Sequence, residues 1–400
     1  MIKNRDIVIV GLQPWDIEIG SNCKNIALEF SKNNRVLYIN APLDRLTAIR
    51  QKEKQSVKKR LRIIKKLQPN IYKIKENLWN FYPRKKIESI SRLKNNFLFD
   101  IFNKRNNKIF AKEIKYAIQK LNFKDIIIFN DSDMLRSFYL KELIKPKLYI
   151  YYTRDNLVSM DYWKVQGARI EPLHMKKADF VVANSTYLAR IASQYNEKSY
   201  YVGQGCDVSA FDPEKVQEVP LDIKDIKKPI VGYIGALLTV RLDIDIIIHI
   251  AKKRKDWNIV LVGPEDDDFK KSELHNMDNV FFLGNKQGEE LPAYLKAFDV
   301  AINPQKLNPL TIGNYPRKID EYLAMGKITV ATKTEAMSIF SEYTYLANNK
   351  EEYVELIDKA LQENTNEKEK QRMLFAKAHT WENNVGLIYD YIEKFEKNKL

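Results

Sequence analysis

The stretch GNYPRKIDEYLAMGKITVAT, residues 313–332, decides the architecture. Pro316 fits the first turn of a helix, where its missing N–H has no intrahelical partner to lose. Gly326 is a natural C-terminal stop, because it takes up the left-handed conformation without strain. The apolar run Ile328–Thr332 follows at once and reads as a buried strand. A helix over Pro316–Met325 feeding directly into such a run is half of a strand–helix–strand unit.

Working outward, the same alternation recurs. Upstream it predicts strands at Ile230–Ile234, Trp257–Val262, Asn279–Leu283 and Asp299–Asn303, and downstream at Tyr343–Ala347. Helices fall at Asp243–Lys253, Leu291–Phe298 and Glu351–Glu363, followed by a charged helical tail, Asn366–Lys399. The first half shows a second series, with strands at Asp6–Gly11, Arg35–Asn40, Asp125–Asn130, Lys147–Tyr152, Asp179–Asn184 and Ser199–Gly203. Its helices are Asn22–Asn33, the Ser89–Leu121 region, Met134–Ile144, Ala168–Lys177 and Thr186–Tyr195. Between the two series lies a stretch with Pro213, Pro220 and Pro229 and no sustained periodicity. The reading is α/β: a Rossmann-like domain over 1–206, a linker over 207–229, a second Rossmann-like domain over 230–380 and a terminal helix over 381–400. Parallel sheets of this kind bind ligands at the carboxyl ends of their strands, so a cleft between two such domains is expected to hold the site.

Composition removes several classes. The 400 residues are 44% hydrophobic and 11% aromatic, enough to fill more than one core. Two cysteines, Cys23 and Cys206, exclude a disulfide scaffold and a Cys-rich zinc site, and fit a reducing compartment. His174, His249, His275 and His379 lack zinc-ligand spacing. No run approaches the ~18 apolar residues of a membrane span, so a soluble or surface-bound intracellular protein is expected.

The formal charge of +15 is concentrated in one place. Residues 50–120 carry 22 basic and 5 acidic side chains, and the rest of the chain is nearly neutral. Within this segment Val57, Leu61 and Ile64 share one helical face among Lys58, Lys59, Arg62, Lys65 and Lys66. Phe97, Leu98, Ile101 and Phe102 form a second apolar ridge, flanked by Lys94, Lys104, Arg105 and Lys108. Basic amphipathic helices suit an anionic membrane surface, and the first is the favoured membrane face. Packing of both stripes on the domain core would satisfy the same pattern. No nucleic-acid motif accompanies the charge, and nucleic acid is not an expected partner.

Two elements can carry chemistry. Gly232-Tyr-Ile-Gly235 ends a strand, where backbone N–H groups can approach a phosphate, and Arg241 follows within reach of the same anion. Glycines kept for a tight turn, and a surface arginine, would look the same. In the 313–326 stretch Lys318 and Glu321 are spaced i, i+3 and share a face. Lys318 at the positive end of the helix can meet phosphate, and Glu321 one turn on can accept from vicinal sugar hydroxyls. A surface salt bridge has that spacing too. The strings Asp131-Ser-Asp133 and Asp243-Ile-Asp245 resemble metal-binding DxD motifs, but helix capping explains them. Asp266-Asp-Asp268 reads as a solvated loop.

Taken in order, Gly235…Arg241, Val262-Gly263-Pro264, Asn279-Val-Phe-Phe-Leu-Gly284 and Pro316…Lys327 resemble the GT-B glycosyltransferases, in particular glycosyltransferase family 4 and its relatives in bacterial teichuronic-acid and exopolysaccharide synthesis. Gly11-Leu-Gln-Pro-Trp-Asp16, Tyr151-Tyr-Thr-Arg-Asp155, Ala178–Ser185 and Gly203-Gln-Gly-Cys-Asp207 extend the resemblance over nearly the whole chain. It implies two Rossmann-like domains facing across a cleft, with the C-terminal helix returning to the first. It implies a hexosyltransferase taking a nucleotide sugar, such as a UDP- or GDP-sugar, without metal or other cofactor. The acceptor is a lipid-linked saccharide or polysaccharide, met at the cytoplasmic face of the cell membrane through segment 50–120.

The implied roles are these. Arg241 resembles the arginine that stabilises the leaving diphosphate, and Lys318 is the candidate to supply the charge of the family's absent lysine. Glu321 holds the ribose. Gly284 and Asn285 cup the base, and Gly11, Gly235, Gly263 and Asn314 line the donor site. The resemblance suggests retention, which needs no dedicated base. An inverting reaction would need one, and Asp155, after a strand end and Arg154, is then the candidate ahead of Asp16 and His174, the histidine being better explained by packing. Gly313 stands where the family's motif has its first Glu, and no lysine follows Arg241 at the usual place. These departures keep open a non-catalytic sugar-nucleotide or polysaccharide binder, and a nucleotide-sugar epimerase on the same fold.

Overall fold

Fourteen strands fall into two sheets in the computed structural model, which describes residues 2–16 and 21–397. The chain divides into two units: residues up to Gly203 together with those from Trp381 onward, and Gln204–Thr380. The division falls at Gly203 rather than after Cys206. The stretch 207–229, expected as a linker, belongs to the second unit, where Phe211, Val216 and Val219 pack on the core and Ile223 is buried.

The first unit is built on β1 (Asp6–Gly11), β2 (Arg35–Asn40), β3 (Ile71–Lys75), β4 (Leu78–Phe81), β5 (Ile127–Asp131), β6 (Leu148–Thr153), β7 (Phe180–Ala183) and β8 (Ser199–Tyr201). Their order is β3-β4-β2-β1-β5-β6-β7-β8, all parallel except β3 against β4. Every residue of β1 and of β6 is buried, as expected of a parallel sheet covered on both faces. Ile7 and Ile9 enter one core layer, Val8 and Val10 the other, which is the two-residue period of a strand. The helix Trp381–Lys397 buries Val385, Ile388, Tyr389 and Ile392 in the first of these layers. It is pinned there by Asn384 Nδ2, which donates to the carbonyls of Val202 and Gly203, both at 2.8 Å. Residues 398–400, at the end of the expected tail, lie outside the described part, and the tail is broken at 378–380 into two helices.

The β3–β4 hairpin was not anticipated. It lies inside the basic segment, where the turn is made by Asn77 at φ +61°, a conformation Asn tolerates. The long helix starts at Asn96 rather than Ser89, and the one expected from Met134 is helical only over Leu140–Ile144. Residues 134–139 are used instead as a turn, in which Asp133 accepts from Arg136 N–H.

The second unit contains β9 (Ile230–Ile234), β10 (Asn258–Val262), β11 (Val280–Gly284), β12 (Val300–Asn303), β13 (Ile328–Thr332) and β14 (Tyr345–Ala347). All are parallel, in the order β11-β10-β9-β12-β13-β14. Read within the unit this is 3-2-1-4-5-6, the doubly wound order that leaves a crevice at the carboxyl ends of its first and fourth strands. Here those strands are β9 and β12. Among the described residues no helix is long and apolar enough to cross a membrane.

Of the two amphipathic helices of the basic segment, the one favoured for the membrane is packed on its own unit, and the one left open between membrane and core keeps its apolar ridge exposed. In Gln55–Ile64, Val57 is buried, and Leu61 and Ile64 pack with it against Leu43 and Ala48. That apolar face is covered by the unit itself, so it is not a free membrane face. On the Asn96–Lys120 helix, Phe97, Leu98 and Ile101 are exposed, Phe97 at 72%.

Candidate active site

The turn after β9 sits at the switch point of the second sheet. Gly235 N–H donates to Val262 O (2.8 Å), and Gly263 N–H to Gly284 O (2.9 Å), so the ends of β9, β10 and β11 are tied in a row. Gly235 and Gly263 have φ of +140° and +149°. A Cβ on Gly263 would lie 2.0 Å from the Gly235 carbonyl oxygen, so this close approach of backbones admits only glycine.

The loop onward from Gly235 is braced from below. Asp266 accepts from Thr239 N–H (2.7 Å) and caps the next short helix at Phe269 N–H (3.0 Å). It is therefore a structural support rather than part of a solvated loop. The backbone of Arg241 crosses the switch point. Its carbonyl accepts from Lys306 N–H, beyond β12, and Asp243 N–H donates to Pro304 O. Asp243 also caps the following helix by accepting from Asp245 N–H, as its position suggested.

The helix Arg317–Ala324 brings up the remaining groups. Pro316 is its N-cap rather than its first helical residue. Its far end closes with Gly326 at φ +71°, Gly326 N–H donating to Leu323 O and Lys327 N–H to Tyr322 O, both 2.9 Å. Lys318 Nζ lies 4.0 Å over the ring of Tyr233 and hydrogen-bonds its hydroxyl. It is close enough to Gly235 that a Cβ there would meet it at 2.7 Å. Among the described residues Lys318 has no carboxylate partner. Glu321 pairs with Arg317 (3.3 Å); burial pushes its carboxyl pKa up, while Arg317 and Lys318 oppose that shift.

Asn314, in the loop before this helix, meets Arg241. With its Nδ2 donating to Leu310 O (3.1 Å), its Oδ1 accepts from Arg241 Nη1 (3.2 Å). Gly313 beside it is buried and presents no side chain. Gly235, Gly263, Lys318, Glu321, Arg241 and Asn314 thus belong to one strand-end region of the second unit. Gly284 and Asn285 stand farther along the same strand-end row, exposed at the end of β11.

Sequence reasoning did not single out the support under this helix. Asp320 is fully buried and accepts from His379 Nδ1 (2.6 Å) and Tyr315 OH (2.8 Å). Its position next to Glu321 in a short amphipathic helix was the available signal.

The first unit holds the other candidates. Gly11 ends β1 beside Tyr38; a Cβ would fall 2.2 Å from the Tyr38 hydroxyl, so packing accounts for this glycine. Asp155 accepts from Arg154 Nη1 (3.0 Å), and the same arginine binds buried Asp131 through Nε (2.7 Å). Burial opposes the charge on Arg154, but Asp131 and Asp155 outweigh it and raise its pKa. Asp131 is therefore an ion-pair partner and not a helix cap. Asp16 is held by Lys59 (2.9 Å). His174 is buried between Tyr149 OH (2.8 Å) and Met134 O (3.2 Å), and burial lowers its pKa to about 3, so it is a neutral core histidine. One turn earlier Glu171 is buried against Tyr151 OH (2.9 Å), and burial raises its pKa to about 7. Among the described residues no three His, Cys, Asp or Glu side chains are grouped to hold a metal ion.

A 3-2-1-4-5-6 sheet with glycine turns and a cation at its switch point defines a Rossmann-type unit suited to a phosphorylated ligand. Residues 228–363 of this unit match the family described as Glycosyl transferases group 1. Over 240 residues the chain is 27% identical to TuaH of Bacillus subtilis (strain 168), assigned as a teichuronic acid biosynthesis glycosyltransferase; the match covers 57% of this chain and 60% of that protein. Solved structures place the whole chain in the GT-B fold. Sucrose-phosphate synthase from Thermosynechococcus elongatus aligns with TM-score 0.62 at 14% identity, over 99% of this chain and 100% of that one. Anabaena HepE in complex with UDP and glucose aligns with TM-score 0.60 at 14% identity, over 98% and 100%.

Proposed function

We propose that the protein is a glycosyltransferase that moves a sugar from a nucleoside-diphosphate donor to a lipid-linked saccharide in bacterial surface-polysaccharide synthesis. One observation carries the reading: Lys318 Nζ lies against the Gly235 turn at the β9/β12 switch point, one helical turn from Glu321. Glycosyl transfer breaks the bond from the anomeric carbon to the diphosphate, and negative charge grows on the departing phosphate oxygens. Cations and N–H groups fixed in advance stabilise that charge. Lys318, Arg241 and the turn at Gly235 are assigned this role, which needs no resident metal. Glu321 accepts from the ribose hydroxyls. Asp155, positioned by Arg154, is the acceptor-side carboxylate. The UDP held by HepE and the assignment of TuaH support the donor class and the pathway.

The proposed setting is the inner face of the cell membrane. The exposed Phe97, Leu98 and Ile101, in the most basic part of the chain, supply the contact. Incubation with UDP- and GDP-sugars tests the reading: transfer or slow hydrolysis of one donor is expected, and neither binding nor turnover of any would refute it. Gly313 favours a second reading, a sugar-nucleotide binder without transferase activity. Tight UDP binding with no transfer to any acceptor would select it, and sugar interconversion without acceptor would select an epimerase.

A further inference from the structure

The first unit contains a cavity of about 250 Å³ that donor binding does not use. It is bordered by the loops that follow β2, β4 and β5, at the carboxyl ends of those strands, where parallel sheets receive ligands. Arg50, Arg92 and Arg136 line it. Arg136 is paired with Asp133 (2.9 Å). Arg50 and Arg92 are exposed and have no carboxylate partner among the described residues. The cavity's two acids are engaged: Asp44 accepts from Thr47 N–H and Ser89 OH, and Glu88 pairs with Arg45 (2.9 Å).

Asn103 supplies a second, independent observation. It lines the same cavity at 1% exposure, and its Oδ1 accepts from Asn107 Nδ2 (3.1 Å). Its own Nδ2 has no hydrogen-bond partner. A buried amide donor left unmade is costly, so its partner is sought in whatever fills the cavity. Two unpaired guanidiniums and an orphaned N–H donor make a donor set that lacks an oxygen-rich anion.

The surroundings say what kind of molecule bears that anion. The helix that carries Asn103 also exposes Phe97, Leu98 and Ile101, and the helix that carries Trp163, another lining residue, exposes Tyr162 and Val165. The two helices are joined by Arg169 to Asp100 (2.7 Å) and by Gln166 Nε2 to Asn96 Oδ1 (3.1 Å). A cationic cavity next to solvent-exposed apolar side chains matches a molecule that is anionic at one point and apolar beyond it.

We propose that this cavity binds the phosphoryl group of an amphipathic acceptor, with its hydrocarbon chain lying along Phe97, Leu98 and Ile101. The proposal deepens the acceptor side of the function above and rests on that reading. The test measures binding to the full chain without any sugar donor. Geranyl pyrophosphate is expected to bind at least about tenfold more tightly than inorganic pyrophosphate. Arg50→Gln with Arg92→Gln should weaken both ligands about tenfold or more. Phe97→Ser with Ile101→Ser should weaken geranyl pyrophosphate alone. UDP affinity should stay the same in all variants, because its site is in the other unit.

Geranyl pyrophosphate binding that survives the arginine double substitution overturns the proposal, as does its displacement by UDP. Vesicles of phosphatidylcholine with phosphatidylglycerol separate the sources: if they displace the ligand from the cavity where pure phosphatidylcholine does not, the site reads bulk lipid headgroups and the acceptor assignment falls. If UDP fails to bind while arginine-dependent geranyl pyrophosphate binding persists, the cavity stands and the donor reading fails.

Discussion

Glu321 and Lys318 differ in what their loss should do, although they sit one turn apart. The ribose contact proposed for Glu321 would be made in the ground state, so Glu321→Ala should weaken nucleoside-diphosphate binding at least about tenfold, ~1.4 kcal/mol, by calorimetry. Charge on the leaving phosphate grows only in the transition state, so Lys318→Ala should lower kcat more than it raises KM. Equal effects of both substitutions on binding and rate would remove that division of labour. The glycine turns are tested by stability instead. Gly263→Ala places a methyl group 2.0 Å from a carbonyl oxygen and should cost on the order of 2 kcal/mol or more in urea unfolding. These residues are legible as candidates because glycine, lysine and glutamate at strand ends and first helical turns carry meaning at short range. Asn314 meeting Arg241, and Asp320 held by His379, depend on loops brought together across the sheet, which spacing does not encode.

A second pair of residues makes a pH prediction. Glu171 is raised from 4.5 to about 7 by burial, so between those values the folded state holds a proton that the unfolded state has lost. Its stabilisation is complete below pH 4.5 and disappears as pH rises through about 7. His174 is lowered from 6.5 to about 3, so its stabilisation is complete above pH 6.5 and disappears as pH falls through about 3. The two slopes oppose each other where the windows overlap, between pH 4.5 and 6.5. Glu171→Gln should therefore uncover a stability that climbs with pH across that window, on the order of 1 kcal/mol per pH unit. Urea midpoints at several pH values would show it, and a flat profile in the variant would contradict the assignment.

At the scale of elements, the two basic helices show what a pattern can and cannot tell. Period and charge establish that each has an apolar face; they do not say what covers it. For Gln55–Ile64 the cover is the unit itself, with Ile63 fully buried and Val57, Leu61 and Ile64 packed on Leu43 and Ala48. For the start of Asn96–Lys120 there is solvent. Ile63→Ala should then cost about 2 kcal/mol or more of stability. Phe97→Ser should change stability by about 0.5 kcal/mol or less. It should, however, reduce flotation with anionic vesicles at low salt. A large stability loss from Phe97→Ser would mean that this ridge is core. The β3–β4 hairpin was hidden for a related reason: Ile71–Lys75 alternates with a strand's period, but its lysines invite a reading of the segment by charge alone. Strands of the parallel core were far easier to see, because burial on both faces makes them continuous apolar runs.

At the scale of the molecule, the chain passes between the units twice, and each unit holds the two passages together. In the first, Asn384 donates to the carbonyls of Val202 and Gly203; in the second, Cys206 N–H donates to His379 O (2.8 Å). The last helix is thus a late-arriving part of a core laid down by residues far earlier in sequence. It buries Val385, Ile388, Tyr389 and Ile392 against a layer that includes Phe30, Phe129 and Phe180, and Asn34 Nδ2 donates to Tyr389 OH (2.9 Å). Each fully buried apolar side chain of this kind contributes roughly 1.5–3 kcal/mol, so losing these three aliphatic side chains and Tyr389 approaches the whole stability of a domain. Ending the chain after Thr380 should therefore unfold or strongly destabilise the first unit, seen as loss of the aromatic near-ultraviolet signal of Trp15, Tyr38 and their neighbours. The second unit keeps its own sheet, its own two core layers and the Asp320–His379 pair in such a chain. It should retain calorimetric UDP affinity while transfer is lost. Loss of both together would show that the second unit cannot hold the proposed donor site alone, and retention of transfer would show that the terminal helix is dispensable to the core it completes.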